Sequence, residues 1–153
     1  MPYKHGHVVS VPDPHERRPS RPVVIISDSD CPDHGERYTV AALTGSERFG
    51  QNRYAVTVDK DEPEVGELLK QSYIEPWATQ QVHRDDIRDT HARFGADTMR
   101  RLAKSYAAMV LRDQKTAYQI DFTPSYQPCP VRRQSIFFQL RGEMSTEIPT
   151  DRS

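Results

Sequence analysis

The sequence predicts a mainly β protein carrying one helix and a polar extension, and three stretches predict it. Val23-Val24-Ile25-Ile26 is the only run of four consecutive β-branched aliphatics. Such side chains are stiff at χ1 and suit a pleated strand, and an unbroken apolar run reads as a strand buried on both faces. Tyr38-Thr39-Val40-Ala41-Ala42-Leu43-Thr44-Gly45 is a second strand-like run, ending in a hydroxyl and a glycine. Between Gly95 and Arg112, Met99, Leu102, Ala103, Tyr106, Ala107, Val110 and Leu111 recur at helical spacing, the signature of one apolar stripe turned to a core.

Composition sets the limits. A chain of 153 residues suits one domain with an appendage. Hydrophobic residues make up 35%, charged residues 28%, and mean hydropathy is −0.79, which indicates a small core with polar extensions. No apolar segment is long enough to cross a membrane, and residues 1–20 lack the apolar stretch of a signal peptide, so a cytoplasmic protein without membrane partners is expected. Net charge is −1, against a general nucleic-acid binder but compatible with a local basic patch. Arg17, Arg18 and Arg21 form one in sequence, which Arg48 and Arg53 can join in space. The two cysteines, Cys31 and Cys129, lie far apart, and no structural disulfide is expected in a reducing compartment. One Cys and one His do not make a metal site, so Cys31-Pro32-Asp33-His34 reads as a polar turn.

Taken in order, His7 to Val11 reads as a first strand, ended by Pro12-Asp13-Pro14 because proline cannot continue a ladder. His15 to Ser20 is a charged loop, either a surface connector or a cover folding over a site. Pro22 suits the first position of the next strand and leaves Arg21 at a rigid strand entrance. There it either simply ends the strand or is held still for binding. Residues 28–36 form an acidic, turn-rich loop before the second central strand. Gly45 permits a close backbone approach or a positive φ. Ser46 to Asn52 reads as a loop, Arg53 to Val58 alternates like a half-buried strand, and Lys60 to Glu67 reads as a solvated connection. Ser72 to Trp77 is a strand candidate in which Pro76 implies an edge or a bulge, with Trp77 a packing residue. Gln80 to Arg84 reads as a last short strand, and the helix follows, capped by Gly95 or Asp97. Residues 113–153 are rich in Gln, Ser, Thr and Pro and are expected to be largely disordered, with Ile136-Phe137-Phe138 as an apolar island. The domain boundary is set at 112/113.

Four of these parts, in order, resemble the PemK/MazF family of toxin endoribonucleases: Gly6-His7-Val8-Val9, then His15-Glu16-Arg17-Arg18, then Arg21-Pro22 through Ser27, then Ala41-Ala42-Leu43-Thr44-Gly45. The likeness continues weakly to about Leu111. It implies a small SH3-like barrel of the CcdB/PemK kind with a C-terminal amphipathic helix. It also implies a metal-independent ribonuclease without cofactor that cuts single-stranded RNA at a short sequence, forms a homodimer and is neutralised by a cognate antitoxin.

RNA supplies its own nucleophile, the 2′-hydroxyl. An enzyme need only deprotonate it, stabilise the phosphorane and protonate the leaving 5′-oxygen. Arg21 matches the family's Arg before Pro and would grip phosphate oxygens with its fork. Thr44 matches the family's Thr before Gly and would orient the phosphate. His15 and Glu16 are candidates for proton transfer, and Arg17, Arg18, Gly45 and Ser46 for RNA contacts. One branch of the family uses a carboxylate on the strand corresponding to Ser72–Trp77, where loose alignment puts Trp77, with Glu75 nearby. A different reading is a non-catalytic module, either a CcdB-like contact poison or a degenerate toxin that captures proteins. The Arg21–Thr44 pair, which a contact poison does not need, favours the nuclease.

Overall fold

The computed structural model describes residues 2–112. The expected disorder of residues 113–153, the Ile136–Phe138 island, Cys129 and the 112/113 boundary's outer side lie outside the described residues. Seven antiparallel strands form one curled sheet in the order β4-β6-β3-β2-β1-β7-β5. They are β1 (His7–Pro12), β2 (Ser20–Ile25), β3 (Arg37–Thr44), β4 (Val56–Val58), β5 (Val65–Gly66), β6 (Ser72–His83) and β7 (Thr90–Arg93), with helix α1 (Glu47–Gly50) after β3 and α2 (Ala96–Leu111) at the end. The mainly β architecture with one long helix is as expected.

Strand β2 lies at the centre because its side chains are apolar in both directions. Val23, Val24 and Ile25 are all essentially inaccessible. Val24 joins Val8, Leu43, Ile74, Phe94, Met99 and Leu102 in the core under α2, while Val23 and Ile25 join Val9, Val11, Tyr38, Val40 and Val82 on the other face. Burying a valine or isoleucine side chain fully is worth about 1.5–3 kcal/mol, so the β1–β2–β3 centre fixes the register of everything else.

Several details differ from the sequence reading. Strand β2 starts at Ser20, so Pro22 is its third residue and pairs with Ser10 of β1. The β2–β3 ladder begins only at Val23, so the donor that proline lacks has no β3 partner to miss. Residues 46–52 contain the single helical turn α1, and Arg53 to Val58 shortens to three strand residues. The expected strands at 72–77 and 80–84 are one bent strand, β6. Ala41 faces Thr79 whereas Ala42 faces Glu75. Pro76, Trp77 and Ala78 therefore leave the β3–β6 ladder as a bulge, past the end of the β4 pairing at Ile74, so the proline has no ladder partner to miss. Trp77 rides on this bulge, 37% exposed, rather than packing in the core. Helix α2 begins at Gly95 as its N-cap and buries Thr98, Met99, Leu102 and Ala108, but Tyr106, Val110 and Leu111 of the expected stripe are exposed.

Candidate functional site

The site lies where β2, β3 and β6 end together. Cross-strand partners in an antiparallel sheet share a face, and residues two apart return to it. Val11 faces Arg21 across β1–β2. Val23 faces Ala42, and Ala42 faces Glu75. One step of two residues further, Thr44 faces Tyr73 across β3–β6, and continuing the β2–β3 register puts Arg21 beside Thr44. Arg21, Thr44, Tyr73 and Glu75 thus share one face, and neighbours in such a register have Cβ atoms about 5 Å apart.

Two of these side chains are charged and withdrawn from water. Arg21 Nη2 lies 4.0 Å from Glu75 Oε2, with side-chain exposures of 18% and 8%. Burial pushes the Glu75 carboxyl above its ordinary range, and the Arg21 charge opposes that shift without cancelling it. A carboxyl whose proton affinity is raised, beside a cation, is suited to accepting a proton. The Thr44 hydroxyl accepts a hydrogen bond from the Ser46 backbone N–H, 3.2 Å away. With a lone pair so engaged, its own O–H remains to donate outward.

The β1–β2 loop stands beside this face. Asp13 organises it: one carboxylate oxygen accepts the His15 N–H at 3.0 Å and the other lies 3.9 Å from Arg18 Nε. The His15 N–H, with the Arg21 and Arg18 charges adding to it, holds Asp13 below the usual carboxylate range. Arg21 therefore feels two carboxylates, Glu75 and Asp13. His15, Glu16 and Arg17 are exposed on the loop, and Glu16 holds a left-handed backbone with φ 55°. Arg18 is also exposed and, with Gly45, lines a cleft beside the strand ends. Gly45 does not hold a positive φ, and a Cβ there would meet only the far end of the flexible Lys70 side chain. Ser46 occupies the N-cap position of the turn α1 without a side-chain cap hydrogen bond.

Sequence reasoning placed Arg21 and Thr44 together, and gave Glu75 only a secondary place beside Trp77. The bulge decides between the two: Glu75 stays in the ladder facing Ala42, and Trp77 leaves it. Asp13 and Lys70 were missed. A lone acid between two prolines offered a signal for Asp13, whereas nothing in the local pattern marks Lys70. Among the described residues there is no group of three or more His, Cys, Asp or Glu side chains able to hold a metal ion, and no helix is long and apolar enough to cross a membrane.

A small curled β-sheet with an arginine, a hydroxyl and a buried carboxyl at its rim defines a barrel-type protein. The chain belongs to the PemK-like, MazF-like toxin family of type II toxin–antitoxin systems, whose profile matches residues 4–110. No curated protein matches it in sequence. Solved structures share the fold. An endoribonuclease from Mycobacterial species in complex with its cognate antitoxin is 17% identical, with a TM-score of 0.53 over 72% of this chain and 94% of that one. The MazE–MazF structure from Deinococcus radiodurans is 12% identical, with 0.55 over 72% and 96%. Mycobacterium tuberculosis toxin MazF-mt6 is 20% identical, with 0.54 over 76% and 99%. These likenesses cover nearly the whole of each neighbour and establish the barrel-and-helix fold.

Proposed function

We propose that this toxin is a metal-independent endoribonuclease that cuts single-stranded RNA at a short sequence through attack of the 2′-hydroxyl. The observation that carries the reading is the Arg21–Glu75 pair on the same face as Thr44. Two of the fold neighbours are named endoribonucleases, in support of the same class. Glu75, its proton affinity raised, takes the proton from the 2′-hydroxyl. The oxygen attacks the adjacent phosphorus, and the charge that develops on the phosphorane is met by the Arg21 fork and the Thr44 O–H. Protonation of the departing 5′-oxygen completes the step and leaves a 2′,3′-cyclic phosphate and a 5′-hydroxyl. His15 or Glu16, on the loop that Asp13 shapes, delivers that proton; Arg17, Arg18, Gly45 and Ser46 contact the flanking RNA.

The proposed assembly is a homodimer neutralised by a cognate antitoxin, a reading supported by the neighbours solved with their antitoxins. The test is incubation of purified protein with a long single-stranded RNA in EDTA, beside folded Arg21→Ala and Glu75→Gln variants. Discrete fragments ending in cyclic phosphate, lost in both variants, are the expected result. Intact RNA with well-folded wild type, across several RNAs, overturns the reading in favour of a binding module.

A further inference from the structure

A cleft of about 580 Å³ opens on the sheet face opposite Arg21 and is not used by the proposed reaction. Its walls are apolar, formed by Val8, Pro22, Leu43 and Leu68. Set into them, besides Ser72, is a hydrogen-bonded pair: the Ser10 hydroxyl and His91 Nε2 are 2.5 Å apart. Arg18 and Lys70 supply two cations at its lining, beside one carboxylate, Glu67.

The backbone around His91 is built to aim it there. Val8 faces Ala92 but Val9 faces Thr90, so His91 is the extra residue of a β-bulge between β1 and β7. Bulges of this kind redirect a side chain out of the ladder. The bulge is fixed on both flanks. Ser10 donates its N–H to Asp89 O at 2.9 Å, and Arg88 donates to Ser10 O at 3.0 Å. On the far side Gly66, at φ +72°, brings β5 so close that a Cβ would lie 2.5 Å from the His91 carbonyl oxygen. Ser10 itself is only 8% exposed. A buried hydroxyl on an apolar face is unfavourable unless it is hydrogen-bonded, and this one is held by an imidazole that is otherwise open to solvent.

We propose that this cleft binds one unstacked nucleobase of the RNA, with the Ser10–His91 pair reading its hydrogen-bonding edge. The proposal rests on the ribonuclease reading above and names the part of the protein that gives the cut its sequence preference. Single-stranded RNA is recognised by splaying a base between apolar or planar walls and pairing its edge with side chains. The walls, the donor–acceptor pair and the two cations for the adjoining phosphates provide those three elements. The cleft and the reaction face lie on opposite sides of the same strand ends: Pro22 follows Arg21, and Gly45 follows Thr44. A nucleotide chain bending over the Gly45 rim puts a phosphate on the Arg21 face and the neighbouring base in the cleft.

Two measurements test it on the full-length protein. The first maps all cut sites in a long RNA for wild type, His91→Ala and Ser10→Ala. Preference at one position of the recognised sequence should relax by about five- to tenfold, the effect of losing one neutral hydrogen bond. An unchanged spread of cut sites in both folded variants overturns the proposal and leaves the ribonuclease intact. The second follows the His91 ring protons by NMR while each of the four nucleoside 3′-monophosphates is added. A saturable shift with one base favoured, lost in Ser10→Ala, supports the cleft even if no RNA is cut, in which case only the catalytic reading fails. No shift with any of the four overturns it.

Discussion

Removing Arg21 should expose how strongly the candidate site is held together by charge. At 4.0 Å the guanidinium and the Glu75 carboxylate attract by ~4 kcal/mol at an effective dielectric of 20. That is a ceiling, because Arg21 keeps partial contact with water and both groups lose hydration. In Arg21→Ala the carboxyl remains buried without its cation, so its proton affinity rises further. The native protein then holds a proton that the unfolded chain releases above the ordinary value of 4.5. Stability therefore falls as pH rises from there toward the folded-state value, and the loss is complete above it. We expect Arg21→Ala to lose about 2–3 kcal/mol at pH 8, below the range for a fully buried pair, and distinctly less at pH 5. Glu75→Gln keeps the shape without the charge and should fold as stably as wild type or better at pH 8, since a raised carboxyl is one whose ionised form the fold disfavours. The double variant should recover part of the Arg21→Ala loss, with a coupling of about 1–2 kcal/mol, and should lose the extra pH dependence. Urea denaturation of the four proteins at both pH values measures this. Additive losses, or an Arg21→Ala loss that is the same at pH 5 and pH 8, would refute the account of the site as an electrostatic unit.

The same substitutions carry predictions for cleavage. Glu75→Gln should reduce the rate about 10²–10⁴-fold, the span for losing a positioned base, with thermal stability kept; a rate within threefold of wild type, roughly one hydrogen bond's worth, would remove Glu75 from the chemistry. Thr44→Val keeps the strand and deletes the outward O–H, and single-turnover rates should fall about 10²-fold with little change in RNA binding by anisotropy. Gly66→Ala should destabilise the fold by about 2 kcal/mol or more, because φ +72° disfavours a side chain and the new Cβ meets the His91 carbonyl at 2.5 Å; thermal melts check this, and an unchanged midpoint would show that the bulge is free to move.

How far the fold could be read depended on whether a pattern was local. The β2 and β3 runs are unbroken or strongly apolar, so strand and burial followed together, and Arg21 and Thr44 could be paired because both sit at the ends of those runs. Strand β7 left no such mark: of Thr90-His91-Ala92-Arg93 only Ala92 is buried, and its place is set by β1 and β5. The two halves of β6 read as separate strands, Ser72 to Trp77 and Gln80 to Arg84, and only the partner strand shows that they are one strand with three residues out of the ladder. The choice of Glu75 over Trp77 depended on that same bulge, which a sequence does not display. Helical spacing identified the face of α2 but not how far the sheet covers it, so Tyr106, Val110 and Leu111 fit the stripe and still face water.

The charge balance of the chain makes physical sense at the site. A net charge of −1 is ill suited to RNA only if affinity must come from a broad positive field. Here Arg21 faces two carboxylates, Glu75 through the close pair and Asp13 through the loop, so without RNA its charge is largely compensated. On the proposed reading, an incoming phosphate competes for that guanidinium and weakens its hold on Glu75, whose affinity for a proton rises as substrate arrives. The carboxyl becomes a better base when the 2′-hydroxyl is beside it. Once the proton has moved, Glu75 is neutral and more of the Arg21 charge is available to the phosphorane, which carries more negative charge than the ground state. The arrangement thus holds the bound RNA weakly and its transition state strongly, the difference that accelerates a reaction.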